Sequence, residues 1–156
     1  MRDLVLELSD ERFAALVEAL PAPFQGALDV AAAKVLNSRP QSMHKRPLAM
    51  KVKALRVYMT RNKDDDLSGE MLRAYFLGPR LDLVKTFLDA TGVAHEDGQV
   101  EDDAEPDASK VPAGVEALSA EHGAEDVTLY LRIAAMQWPE NKGITQAVEA
   151  RASAAS

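Results

Sequence analysis

The sequence predicts an all-α fold, a compact irregular bundle of six or seven helices in one domain spanning residues 1–150. Three observations predict it. Apolar residues recur at spacings of three and four through most of the chain, proline and glycine punctuate those stretches, and the composition is globular, with 47% hydrophobic and 28% charged residues. A chain of 156 residues is long enough to bury a core without staples.

Taken in order, residues 3–8 read either as a short strand or as the lead-in to a helix. Ser9 then suits an N-cap, with Asp10 and Glu11 in the first turn where the helix dipole favours anions. Phe13, Leu16, Val17 and Leu20 give the first helix a buried face. Pro21 and Pro23 mark a turn, and Phe24, Leu28, Ala31 and Val35 carry a second helix to about Asn37. Alanines 31–33 permit close approach of a neighbour.

Residues 39–46 form a connector, and a third helix begins at Pro47, which fits a first turn. Leu48, Val52, Leu55 and Met59 form one apolar stripe on it. Met50, Ala54 and Val57 form a second, which predicts neighbours on two sides. A fourth helix over 67–77 presents Leu67, Met71, Leu72, Tyr75 and Phe76. Gly78 and Pro79 break the chain before a fifth helix with Leu81, Val84, Phe87 and Leu88, closed by Gly92 as a left-handed cap.

Residues 95–109 read as an acidic, solvated loop with room to move; its core, 95–107, holds seven Asp or Glu and no Lys or Arg. Val111, Val115 and Leu118 predict a short sixth helix ending near Gly123. The seventh, 124–138, again shows two stripes, one through Val127, Tyr130, Leu131, Ala134 and Trp138, the other through Leu129, Ile133 and Met136. Pro139 ends it, Ile144, Ala147 and Val148 suggest a last short helix, and residues 151–156 read as a frayed tail.

The absence of cysteine excludes disulfides, thiol catalysis and thiolate metal sites, and agrees with a cytoplasmic location. The amino terminus has too short an apolar run and too many acids for a signal peptide, and no run of eighteen apolar residues predicts a membrane span. No phosphate-binding glycine loop, hydrolase elbow or HExxH pattern is present, so the residues imply no cofactor and no metal. Asp64, Asp66, Ser68 and Gly69 occupy positions one, three, five and six of a calcium-loop pattern. Position twelve is Tyr75 where a bidentate Glu is needed, and a helix start has the same composition. His95, Glu96 and Asp97 are adjacent residues with no ligand partners visible elsewhere, which favours a solvated loop over a metal site.

The strongest functional signal is charge segregation. Residues 30–63 carry nine Lys or Arg and no Asp or Glu, although the whole chain has a formal net charge of -7. Lys45, Arg46, Lys51, Lys53, Arg56, Arg61 and Lys63 are the candidate contacts to a partner or to phosphates. The reading that follows is a noncatalytic interaction or adaptor domain with a basic surface (39–63) and an acidic loop (95–107), its partner an acidic protein or a second copy. The alternative is a nucleic-acid binder using 45–63, with Tyr58 as the nearby aromatic for stacking; the third is an enzyme of unknown reaction. These cations can also pair within the fold, with Asp64–Asp66 or with the acidic loop.

Overall fold

Caps and chain breaks set the elements, as the sequence suggests at most boundaries. The structure, a computed structural model, describes residues 1–63 and 66–156. It divides into two compact units, Met1–Pro79 and Arg80–Ser156.

The first unit contains α1 (Arg2–Leu6), α2 (Asp10–Ala19), α3 (Ala22–Leu36), a 3-10 helix at Pro40–Lys45, α4 (Leu48–Arg61) and α5 (Asp66–Phe76). Ser9 caps α2 by accepting a hydrogen bond from the Arg12 amide at 3.1 Å. Asn37, with φ of 48°, closes α3 in the left-handed region. Helix α4 packs chiefly on α3, and also on α2 and α1, while the 3-10 helix folds back on α3. Phe13, Leu16, Leu28, Ala31–Ala33, Leu55 and Met59 are among its buried side chains. The three consecutive alanines of α3 are all buried, and small side chains permit close approach of neighbouring elements.

The second unit contains α6 (Leu81–Thr91), a 3-10 helix at Ala108–Lys110, α7 (Val111–Glu121), α8 (Ala124–Gln137) and α9 (Lys142–Ala154). Gly92 ends α6 with φ of 76°, a conformation that suits a residue without Cβ. At Gly114 an added Cβ would lie 3.0 Å from Thr91 Cγ2 and 3.4 Å from the Phe87 ring, so this glycine sets how closely α7 approaches α6. Phe87 and Tyr130 stack edge to face with centroids 5.4 Å apart. Burial pushes the Tyr130 phenol up from its ordinary value.

The all-α expectation holds, but the count of six or seven helices is corrected: among the described residues there are nine α-helices and two 3-10 helices. The additional elements, α1 with five residues and the 3-10 segments Pro40–Lys45 and Ala108–Lys110, are too short to show a period, and the expected last short helix is longer than its apolar residues suggest: α9 runs for 13 residues with Ile144 buried. Its length is supported by Asn141, whose side chain caps Ile144, and by Arg151, which donates to Thr128 Oγ1 and Ser119 Oγ at 3.3 and 2.6 Å.

Candidate functional site

The basic stretch separates, side chain by side chain, into cations used inside the first unit and cations left on its surface. Lys51 lies on the flank of α4 that meets α3. Its Nζ is 2.6 Å from Asp29 Oδ1 and donates to Gln25 Oε1 at 3.1 Å, and its side chain is only 11% exposed. The contact to Asp29 is not aligned as a hydrogen bond, so that attraction is coulombic.

Arg56 occupies the opposite flank. Its Nη1 donates to the Leu6 carbonyl at 2.8 Å and its Nη2 donates to the Leu8 carbonyl, tying α4 to the chain between α1 and α2. The guanidinium also lies 4.8 Å from the Phe13 ring centroid. Its Nε is 2.9 Å from Asp10 Oδ1 but misaligned for hydrogen bonding, again a coulombic contact. Neither cation uses the partners suggested by charge runs in the sequence. Lys51 finds an acid one helix back, and Arg56 finds mainly carbonyl oxygens.

The remaining five face outward. Lys45, Arg46, Lys53, Arg61 and Lys63 are exposed. Arg46 donates to Ser38 Oγ at 3.1 Å and approaches Met50 Sδ at 3.7 Å. Lys45, Lys53, Arg61 and Lys63 have no ion pair among the described residues. The aromatic candidate is differently placed: Tyr58 is half-buried, with Lys34 Nζ 5.9 Å from its ring centroid.

The outward face of α4 combines charge with apolar surface. Met50 and Val57 are 37% and 36% exposed, whereas Ala54 of the same sequence stripe is buried. The second stripe is therefore covered on the Ala54 side and open at Met50 and Val57. Lys53 and Arg61 fall on that same face by helical spacing, so Met50, Lys53, Val57 and Arg61 alternate along it. Met50 and Val57 are seven residues apart, roughly 10 Å along the axis. Val30 on α3, 43% exposed, is the other large exposed apolar side chain described in this unit.

The other sequence candidates fall elsewhere. Asp64 of the calcium-like pattern lies outside the described residues; Ser68 is buried within α5. His95 accepts a hydrogen bond from the Gly98 amide at its Nδ1, 3.2 Å away, and its Nε2 is 3.0 Å from Asp89 Oδ1. That ring organises a tight turn in which Asp97 and Gly98 have φ of 48° and 80° and Glu96 and Gln99 exchange backbone hydrogen bonds of 2.9 and 3.0 Å. Among the described residues no group of three or more His, Asp or Glu is placed to hold a metal ion.

The acidic segment is tied down at several points. The Asp107 amide donates to the Thr91 carbonyl at 3.1 Å, Trp138 Nε1 donates to the Ala104 carbonyl at 2.8 Å, and Asn141 Nδ2 donates to the Pro106 carbonyl at 2.7 Å. Lys85 reaches Asp97 at 3.5 Å. Glu96, Glu101, Asp102 and Asp103 are exposed and have no ion pair among the described residues.

No helix among the described residues is long and apolar enough to cross a membrane. Comparison with protein-family models, with curated proteins and with solved structures finds no match to this chain.

Proposed function

We propose that this all-helical protein is a noncatalytic interaction or adaptor domain that docks an acidic partner protein on the outward face of α4. The observation that carries the reading is the alternation of exposed Met50 and Val57 with the exposed cations Lys53 and Arg61. Interfaces take their affinity from apolar contacts that lose water and their selectivity and encounter rate from surrounding charge. A face with both, on a helix whose other sides are packed, is suited to a partner segment carrying apolar residues flanked by Asp or Glu.

A second reading, nucleic-acid binding through residues 45–63, draws on the same five outward cations. It is less well supported, because Tyr58 is half-buried with Lys34 close to its ring, and the apolar pair interrupts the charged face. The experiment compares three labelled probes by fluorescence anisotropy: an acidic amphipathic helical peptide, single-stranded RNA and duplex DNA, each at low and moderate salt. The docking reading predicts peptide binding that weakens at least about tenfold in Lys53→Glu/Arg61→Glu and also in Met50→Ser/Val57→Ser. Preferential binding of RNA or DNA, lost steeply with salt and indifferent to the Met50 and Val57 changes, would replace it with the nucleic-acid reading.

A further inference from the structure

The division into two units also divides the charge. Met1–Pro79 holds twelve Lys or Arg against ten Asp or Glu, a net of +2, and Arg80–Ser156 holds six against fifteen, a net of -9. The positive unit carries an outward helix face on which Lys53 and Arg61 have no ion pair among the described residues, and the negative unit carries Glu101, Asp102 and Asp103 in the same condition. Each unit also presents exposed methionine, Met50 on α4 and Met136, 51% exposed, on α8. The acidic segment is held beside the carboxyl end of α8 through Trp138 and Ala104, and Met136 lies at that same end. Both sides of an interface of one chemistry are thus written into one chain.

Resting on the docking reading above, we propose that the acidic partner is a second copy of this chain, whose Arg80–Ser156 unit docks on the α4 face of the first. The two faces are met either reciprocally, in a two-fold dimer, or head to tail, in a ring or an open chain. Copies of net charge -7 repel one another at long range, and the attraction is local, acting within about a Debye length of 8–10 Å. Association therefore grows with protein concentration and weakens as salt screens the facing charges.

The test is sedimentation velocity on the full chain and on two charge-reversed variants, Lys53→Glu/Arg61→Glu and Asp102→Lys/Asp103→Lys. All changed positions are exposed, and far-UV circular dichroism checks that both variants keep their helix content. The native chain is expected to gain mass with concentration, each variant alone is expected to stay monomeric, and their equimolar mixture is expected to associate again, through the native pair of faces and the charge-swapped pair. Neutral Lys53→Gln/Arg61→Gln is expected to associate less than the native chain and more than the reversed variant. A native chain that stays monomeric at all concentrations overturns the proposal. So does a mixture of folded variants that fails to pair, or an Asp102→Lys/Asp103→Lys chain that still dimerises, which would place α4 against α4. A monomeric chain that nevertheless binds the acidic peptide leaves the docking reading standing, whereas failure of both removes both.

Discussion

Replacing Arg56 with alanine removes the side chain that ties α4 to the start of the chain, and the cost follows from its contacts. Two charge-assisted hydrogen bonds to the Leu6 and Leu8 carbonyls contribute roughly 1.5–3 kcal/mol each. The guanidinium beside the fully buried Phe13 ring adds about 1 kcal/mol. Asp10 adds little, because its side chain is 72% exposed and solvent screens the pair. These contributions share one side chain and do not sum fully, so the expected loss is about 3–5 kcal/mol. That is a large fraction of the stability of a small domain, roughly 5–15 kcal/mol. Arg56→Lys, with one short donor head in place of a fork, recovers about half at most. Urea titration followed by hydrogen exchange and mass spectrometry, read on peptides from residues 1–61, measures the change where the contacts lie. In the same assay Lys53→Ala and Arg61→Ala are expected to change stability by less than about 0.5 kcal/mol. A loss below about 1 kcal/mol for Arg56→Ala, or a lysine variant equal to the native chain, would refute the assignment of Arg56 to the interior.

Three further outcomes are expected. Asp29→Ala leaves the Lys51 ammonium largely covered with Gln25 as its hydrogen-bond partner and should cost about 1–3 kcal/mol in thermal melts, while Asp29→Leu/Lys51→Met should recover most of that loss. Asn141→Ala removes the cap on the Ile144 amide and the donor to the Pro106 carbonyl, an expected loss of about 2–4 kcal/mol, which unfolding monitored by Trp138 fluorescence reports. The Ser109 hydroxyl and amide, 2.6 and 3.0 Å from Asp107 Oδ1, hold the Asp107 carboxyl below its ordinary value, with Lys110 helping. A depressed folded value means that its stabilising contribution is present above the unfolded carboxyl range, near pH 3.9, and is lost as pH falls through the lower folded value. An NMR titration of the Asp107 carboxyl carbon should therefore give a midpoint below about 3.9, and a midpoint at or above it contradicts the hydrogen bonds that Ser109 donates to Asp107.

What the sequence disclosed depended on the range of the interaction involved. Ser9, Asn37, Gly92 and Gly123 act within a few residues of themselves, so the boundaries they set are legible from local chemistry. Helix α1 was ambiguous because five residues are too few to display a period. Helix α9 is longer than its stripe of Ile144, Ala147 and Val148 suggests, because its ends are held by the Asn141 cap and by Arg151. On α4 both stripes are visible, but which of Met50, Ala54 and Val57 is covered depends on how α1, α2 and α3 pack against it, and no local pattern encodes that packing. The seven basic candidates looked alike as a charge run. Their separation rests on Asp29, on two backbone carbonyls and on the Phe13 ring, and carbonyl acceptors leave no mark in a sequence.

Methyl and amide NMR on the full chain, titrated with the acidic amphipathic peptide, locates the docking surface on or away from the outward face of α4. The largest shifts are expected on the Met50 and Val57 methyl groups and the Lys53 and Arg61 amides, with Lys51 and Arg56 little changed. Saturable shifts centred anywhere else, or no shifts at peptide concentrations that saturate a micromolar site, would contradict docking on that face.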